Sequence, residues 1–141
     1  MADEILLEIV TPEKLAFSGM VEQVTIPGSE GQLGILKGHT PFLSFVDIGE
    51  LSALQDGRRI FFAVNTGYAE VASNKVTVLV ETAESAMAID KERALRAKEA
   101  ALAELSRMHH PPPAVAANDE YEKMRVALLR AISRLNVANR S

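Results

Sequence analysis

The hydrophobic and polar positions of the chain change their spacing near residue 88. Before it, short apolar runs rich in β-branched residues alternate with turn signals, and several runs show the two-residue period of a β-strand. Because these runs recur at close spacing with no helical stretch between them, they favour an antiparallel sandwich or a flattened barrel. The predicted strands cover residues 5–10, 21–26, 51–55, 58–64, 68–72 and 75–81.

Two dipeptides mark tight turns within this β-rich part. Asp56-Gly57 is a strong two-residue hairpin signal between two predicted strands, and Ser73-Asn74 marks a second turn. The strand after the second turn alternates cleanly between apolar and polar positions. The side chains predicted on its inner face are Val76, Val78 and Val80.

After residue 88 glycine is absent and the apolar spacing becomes helical. Residues 89–108, IDKERALRAKEAALAELSRM, are rich in strong helix formers, and Asp90 is the predicted N-cap. The prolines within residues 109–113, HHPPP, end this helix, and a second helix is predicted from Asn118 or Asp119 to about residue 138. Together they predict an antiparallel hairpin. Its expected apolar positions are Leu95, Leu102, Leu105 and Met108 beside Ala94, Ala97 and Ala101, and then Tyr121, Met124, Leu128, Ala131 and Leu135.

Composition narrows the class of protein. The chain has 141 residues, and an apolar content of 48% excludes global disorder. It has no cysteine, which excludes a disulfide framework and a thiolate metal site. No apolar run is long enough to span a bilayer, and the acidic start MADEILLEIV lacks the basic residues of a signal peptide. We therefore expect a soluble intracellular protein.

The net charge of −4 is divided unevenly along the chain. Residues 1–89 hold five basic and twelve acidic residues, a balance of −7, whereas residues 90–141 hold ten basic and seven acidic residues, a balance of +3. This division fits two modules with different partners, and it equally fits two independently solvated surfaces.

The glycine-rich segment over residues 27–42, PGSEGQLGILKGHTPF, invites a comparison with phosphate-binding loops. Such a loop requires a glycine followed by lysine and Ser or Thr at the start of a helix. Here Lys37 precedes Gly38, Pro41 follows, and the next residues are typical of a strand. The segment is therefore predicted to be a crossover between two strands rather than a nucleotide site.

Catalytic and metal motifs give no positive signal. His39 has no nucleophile or acid at motif spacing, so it is interpreted as a residue that holds a loop. His109 and His110 lack further ligands and are interpreted as part of a solvated linker. The sequence therefore gives no positive evidence for an active site, and no catalytic and no metal-ligating residues are expected.

The second predicted helix is basic. It carries Lys123, Arg125, Arg130, Arg134 and Arg140, and the pair at 130 and 134 lies one turn apart on one face. Such a helix suits nucleic acid, an acidic membrane surface, an acidic protein, or simply solvent. The pI of about 5.4 and the interspersed acids argue against nucleic acid.

The combination of these segments is recognisable. PGSEGQLGILKGHTPFLS, followed by a β-only module, by IDKERA at the start of an alanine-rich hairpin and by the ending AISRLNVA, resembles the epsilon subunit of bacterial F-type ATP synthases. The resemblance implies an α+β fold, with an N-terminal antiparallel β-sandwich of about ten strands in residues 1–88 and a C-terminal two-helix hairpin in residues 89–141.

The resemblance also implies a function. It predicts a non-catalytic rotor subunit of the central stalk, whose sandwich binds the gamma subunit and the c-ring and couples proton flow to ATP synthesis. The hairpin is predicted to regulate, by extending into the alpha/beta catalytic hexamer and inhibiting ATP hydrolysis. The predicted place is the cytoplasmic face of the bacterial plasma membrane, with membrane association only through the complex and no nucleic-acid partner.

Site residues follow from the same resemblance. No cofactor is required, but ATP is implied as a regulatory ligand, because Ile89, Asp90, Arg93 and Ala94 match the family's motif Ile/Leu-Asp-x-x-Arg-Ala. Ala100 departs from strongly binding members, which have an arginine there, and Asp90 is equally explained as a helix cap. The remaining residues that match the family's ATP site are Glu84, Arg130 and Arg134. The residues implied for docking on the c-ring and the gamma subunit are Glu30, Gln32, Gly34, Gly38 and His39. The residues implied for inhibitory contacts with the catalytic hexamer are Lys123, Arg125, Arg130 and Arg134.

An alternative hypothesis retains ATP as a ligand of the chain but assigns it no place in the ATP synthase complex. A free-standing ATP-sensing regulatory protein needs the site at the start of the hairpin but no rotor partner. Binding of the gamma subunit separates the two hypotheses.

Overall fold

A computed structural model of the chain describes residues 4–38, 40–108 and 119–140, except for the side chain of Asp119. They form a β-rich part, a short 3-10 turn at Ala86–Ala88 and two helices. The elements are β1 (Ile5–Val10), β2 (Leu15–Val21), β3 (Gln23–Gly28), β4 (Gly31–Leu36), β5 (Phe42–Val46), β6 (Gly49–Gln55), β7 (Arg58–Val64), β8 (Gly67–Ala72), β9 (Lys75–Val80), β10 (Ala83–Ser85), α1 (Lys91–Arg107) and α2 (Asp119–Ala138).

The ten strands form a sandwich. Hydrogen-bonded neighbours follow the order β10-β7-β6-β3-β5-β8-β9-β1-β2, with β4 on the free side of β3. β3 and β5 share the pair Gly28–Val46, so the sheet folds over at this corner into two layers. The neighbours are antiparallel apart from β1 and β9, which run parallel. The predicted sandwich followed by a helical hairpin is confirmed.

The core lies between the two layers and explains the alternation in the sequence. On β1 and β9 the inward-facing residues are buried, whereas their neighbours along the chain are half-buried or exposed. The predicted inner face of β9 is confirmed, and β1 fills the adjacent part of the core. The residues concerned are Val76, Val78 and Val80 on β9, and Ile5, Leu7 and Ile9 on β1.

The predicted strand over residues 21–26 is wrong in its bounds. The strand is interrupted at Glu22, and a separate strand begins at the next residue. The backbone N–H of Glu22 donates to the Leu54 carbonyl at 2.7 Å. β2 was not predicted at all. Leu15 at its start and Met20 near its end are apolar but exposed, so the strand lacks the two-residue alternation on which the prediction depended.

The glycine-rich segment is also corrected. It is not a crossover over most of its length but a hairpin, in which β3 pairs with β4 and Gly28 lies opposite Gly31. Ser29 and Glu30 form the turn, and Gly31 has a φ of 116°, which is accessible mainly to glycine. The connection to β5 follows only after β4 and includes His39, which lies outside the described residues.

Both predicted tight turns are confirmed. Asp56 and Gly57 have φ values of 52° and 76°, and Ser73 and Asn74 have φ values of 52° and 59°. Positive φ at both central positions is the backbone of the two-residue turn whose twist matches the flanking strands.

The start of α1 is as predicted, but its buried face is only partly so. The Asp90 carboxylate accepts a hydrogen bond from the Arg93 backbone N–H at 3.1 Å, which confirms the N-cap. Ala94 and Ala101 are buried, whereas Leu95 and Leu102 are both 46% exposed. The predicted stripe is therefore only partly wrong, because Leu105 and Met108, its last two members, are half-buried. Ala97, expected beside the stripe, is exposed as well.

α2 lies between α1 and the sandwich. Its predicted apolar positions are buried or half-buried, with Ala131 at the centre. Its other side contacts β6, β7 and β10. The predicted cap at Asn118 or the Asp119 side chain, and the break over residues 109–113, lie outside the described residues.

Candidate functional site at the junction of the sheet and the helices

The end of α2 rests on the sandwich through a small apolar cluster. Val137 and Ala138 are fully buried and pack with Ala63 of β7 and with Ile89, which connects the sheet to α1. Two of these four buried residues are alanines, whose burial contributes much less than the about 1.5–3 kcal/mol expected for a larger aliphatic side chain such as Val137 or Ile89. We therefore regard the apolar part of this junction as weak.

An ion pair lies beside the cluster. The Arg134 Nε atom is 2.8 Å from Glu84 Oε1, and the Arg134 Nη2 group donates a hydrogen bond to Glu84 Oε2 at 3.2 Å. The Nε–H is not aligned for a hydrogen bond, so that contact is an ion pair alone. The side chains are 27% and 34% exposed, so this pair is less screened than a surface pair.

A second contact fixes the residues that follow α2 to the sandwich. The Arg140 Nη2 group donates to the two carboxylate oxygens of Glu50 at 3.1 and 3.4 Å, and the guanidinium carbon lies 5.0 Å from the centre of the Phe61 ring. This geometry combines an ion pair with a cation–π contact. Sequence reasoning missed Glu50 and Phe61, because nothing in their local pattern indicates a partner about ninety residues away.

A cleft of about 390 Å³ opens between α2 and the ends of the strands. It is lined by Glu84, Arg130 and Arg134, three of the residues predicted for ATP. Ser133 also lines it, and its buried hydroxyl has no hydrogen-bond partner in the described part of the chain. Charges of both signs surround the cleft, because Lys14, Glu13 and Glu81 lie there too.

The other predicted ATP residues do not line the cleft. Asp90 caps α1, Arg93 is exposed, Ala94 is buried in the seam with α2, and Ile89 belongs to the apolar cluster. The structure thus brings the sandwich and α2 parts of the predicted set together, and places the IDKERA segment elsewhere.

The cations predicted to inhibit the catalytic hexamer differ in their surroundings. Arg130 and Lys123 are exposed, and Arg134 is engaged by Glu84. Arg125 donates from Nε to Glu122 at 2.9 Å, a hydrogen bond that lowers the pKa of the Glu122 carboxyl and raises that of Arg125.

The predicted docking residues lie on the β3–β4 hairpin and just beyond it. Glu30, Gln32, Gly34 and Gly38 are all exposed, and the Gly38 N–H donates to Asn74 Oδ1 at 3.1 Å. An additional exposed row was missed by the sequence analysis. It comprises Leu43, Phe45, Tyr68 and Leu79 on the outer face of β5, β8 and β9, and we call it the outer row.

Other kinds of site find no support in the part of the chain that the structure describes. Within residues 4–38, 40–108 and 119–140, no cluster of three or more His, Cys, Asp or Glu is arranged to hold a metal ion. Neither helix, over the same residues, has the length and apolarity needed to cross a membrane.

Comparisons with known proteins agree with this architecture. The family description "ATP synthase, Delta/Epsilon chain, beta-sandwich domain" matches residues 4–86, and "long alpha-helix domain" of the same chain type matches residues 87–139. The chain is 43% identical to ATP synthase epsilon chain 2 of Syntrophotalea carbinolica, over 99% of this chain and 97% of that one. It is 42% identical to the ATP synthase epsilon chain of Geobacter sulfurreducens, over 100% and 98%.

A solved structure shows the same fold. A chain in the Euglena gracilis mitochondrial ATP synthase assembly of OSCP, F1 and c-ring matches with a TM-score of 0.77 and 23% identity, over 96% of this chain and 81% of that chain. The sequence relatives cover both the sheet and the helices in the order seen here. The chain therefore belongs to the ATP synthase delta/epsilon chain family.

Proposed function

We propose that this chain is a non-catalytic rotor subunit in the central stalk of an F-type ATP synthase, and that its hairpin regulates ATP hydrolysis. The observation that carries the proposal is the junction between α2 and the sandwich. A small alanine-rich cluster and two ion pairs hold the hairpin there, so the hairpin is able to leave without unfolding the core of the sandwich.

In this proposal residues 1–88 attach the chain to the gamma subunit and the c-ring, and so couple proton flow to ATP synthesis. The exposed residues of the β3–β4 hairpin support this, because they present polar groups on a compact, well-paired element. The chain would then lie at the cytoplasmic face of a bacterial plasma membrane, held there only through the complex.

Residues 89–141 form the regulatory part. When α2 leaves the sandwich, Arg134 and Arg140 lose Glu84 and Glu50, and their guanidinium groups become available beside Arg130 and Lys123. An acidic segment of the catalytic hexamer then replaces the lost carboxylates. Because Arg–carboxylate pairs are strong once water is excluded, the extended hairpin opposes rotation in the direction of hydrolysis.

Deletion of residues 90–141 tests the regulatory role. We expect the assembled complex to form normally and to hydrolyse ATP faster than the complex with the full chain. Equal rates for the two complexes would contradict the proposal.

A cross-link provides a sharper test that leaves the chain intact. The chain has no cysteine, and Ala63 and Val137 pack in one cluster, so Ala63→Cys/Val137→Cys introduces one pair that closes the junction when oxidised. We expect hydrolysis to rise on oxidation and to fall again with reductant. Each single cysteine variant is the control and should not respond; a double variant that also fails to respond argues against release of the hairpin.

The cleft supports ATP as a second, regulatory ligand of the same chain. Its volume falls within the usual range for small-molecule sites, and Arg130 and Arg134 offer cations to phosphates. Glu13, Glu81 and Glu84 oppose an anionic ligand, and Ala100 supplies no further cation, so we expect weak binding. Titration calorimetry of the full chain with ATP tests this: heat at millimolar ATP that Arg130→Ala abolishes supports the site, and no heat rules it out.

The free-standing ATP sensor is separated from the rotor subunit by a different measurement. Capture of the gamma subunit by the full chain supports the rotor role. ATP binding without such capture would favour the sensor.

A further inference from the structure

We propose that Asn74 is a positioning residue, which fixes the backbone at the start of the connection from β4 to β5 for the docking of a partner. Asn74 lies in the tight turn between β8 and β9, and Gly38 follows the end of β4, 36 positions away in the sequence. The Asn74 Oδ1 atom accepts a hydrogen bond from the Gly38 N–H at 3.1 Å. A turn in one part of the sandwich thus holds the backbone of another part.

The turn itself is fixed through its backbone. The Asn74 carbonyl accepts a hydrogen bond from the Leu6 N–H at 3.0 Å, and Leu6 lies opposite Lys75 in the parallel pairing of β1 with β9. The turn therefore cannot move without breaking the first contacts of this ladder. Because the backbone of Asn74 is held in this way, its side chain has a defined position from which to bind Gly38.

The hydrogen bond to Gly38 joins the two layers of the sandwich. β4 belongs to the layer of β3, β6, β7 and β10, whereas β8 and β9 belong to the layer of β5, β1 and β2. The layers are continuous at the corner where Gly28 pairs with Val46, and Gly28 also lies opposite Gly31 at the start of β4. Gly38 lies beyond the other end of β4, so the Asn74 side chain links the layers at the end that is remote from the corner.

Backbone conformation explains part of the choice of residue at position 74, but it does not explain this bond. Asn74 has a φ of 59° and Ser73 has a φ of 52°, and asparagine and glycine are the residues that adopt such values most readily. Either residue would therefore complete the turn. Of the two, only asparagine places an acceptor oxygen beside the Gly38 N–H.

The surroundings of Gly38 show why an acceptor matters there. Gly38 has a φ of 82°, and a Cβ added to it would have no described atom within 4 Å apart from its chain neighbours. Close packing does not hold this side of its backbone, and the hydrogen bond to Asn74 supplies a restraint. A connection that is restrained before binding loses less conformational freedom when a partner binds, so the bond raises affinity without touching the partner.

The inference rests on the proposed function in one respect, namely that the gamma subunit is the partner that binds this end of the sandwich. Asn74→Gly is the test variant, because glycine keeps the positive φ and removes the acceptor. We expect the Gly38 amide to exchange about threefold to tenfold faster, as the loss of one hydrogen bond implies. We expect the full chain to capture the gamma subunit more weakly by a factor in the same range. The amides of Val76 and Val78 in β9 should keep their wild-type protection.

Two further variants separate positioning from a general effect on the turn. Asn74→Asp keeps an acceptor oxygen at the same place, and it should restore both the Gly38 exchange rate and the capture of the gamma subunit to near wild-type values. Ser73→Gly is the matched control, because Ser73 is exposed and has a positive φ in the same turn. It should leave both measurements unchanged, and the unfolding midpoints of all variants show whether the fold is retained.

Two outcomes overturn the inference and leave the proposed function standing. One is an unchanged exchange rate of the Gly38 amide in Asn74→Gly, which would show that the bond does not restrain the connection. The other is faster exchange with undiminished capture of the gamma subunit, which would show that the restraint plays no part in docking. A wild-type chain that fails to capture the gamma subunit contradicts the proposed function, and the docking role of Asn74 falls with it.

Discussion

At the scale of single residues, Asp90 shows how one side chain fixes where the helical part begins. Its carboxylate accepts the Arg93 N–H, which otherwise has no partner in the first turn of α1. We expect Asp90→Ala to destabilise the hairpin by about 1 kcal/mol, and Asp90→Asn to cost much less, because Asn caps nearly as well. Urea unfolding followed by helical circular dichroism measures both; equal stability of Asp90→Ala and the wild type would contradict the capping role.

Glu122 and Arg125 give a second prediction at this scale. The hydrogen bond from Arg125 lowers the pKa of the Glu122 carboxyl, so their interaction is fully present above the usual pKa of Glu and is lost as the pH falls through the lowered value. We expect the NMR titration midpoint of Glu122 to rise in Arg125→Gln. Lys123→Gln is the matched control, because Lys123 is a neighbouring cation without this bond. An unchanged midpoint in Arg125→Gln would show that the contact does not persist in solution.

At the scale of elements, the seam between α1 and α2 depends on small residues. Ala94 is fully buried in it, whereas Ala97, one turn along the same helix, is exposed. We expect Ala94→Leu to push the helices apart and to cost about 1–3 kcal/mol. Ala97→Leu is the matched control and should leave stability nearly unchanged. Amide exchange of α1 and α2 reports the opening directly, and equal exchange in the two variants would argue against a close-packed seam.

The elements also show what the sequence reveals and what it does not. The turns at Asp56-Gly57 and Ser73-Asn74 were predictable, because positive φ at successive positions depends on local residue types. β2 was not predictable, since the exposed apolar residues near its ends obscure the alternation of apolar and polar positions. The buried face of α1 was predicted only in part, because its periodicity favoured Leu95 and Leu102, whereas Ala94 and Ala101 are the residues buried there.

The candidate site was predictable in part for the same kind of reason. Glu84, Arg130 and Arg134 were found through resemblance, and they do lie around one cleft. Glu50, Phe61 and the outer row were missed, because their roles depend on strands and helices far apart in sequence. Local patterns carry no information on such pairs until the topology is known.

At the scale of the whole molecule, the uneven charge becomes a physical link between its two parts. The acidic sandwich supplies Glu50 and Glu84, and the basic hairpin supplies Arg140 and Arg134. These pairs are partly exposed, so each contributes roughly 0–1 kcal/mol and is weakened by salt. Since the apolar cluster is small, even this modest contribution shifts the equilibrium between a docked and a released hairpin.

Glu50→Gln/Glu84→Gln removes both carboxylates at nearly constant shape and thereby tests that balance. A combined loss of about 1–1.4 kcal/mol corresponds to a rise of roughly fivefold to tenfold in the population of the released state. We expect α2 amides to exchange faster by that factor while β1 and β9 amides keep wild-type protection. In the assembled complex the same variant should hydrolyse ATP more slowly, because a released hairpin is the inhibitory one. Glu99→Gln, on the outer side of α1, is the control; faster exchange in the sandwich as well would indicate general destabilisation instead of release.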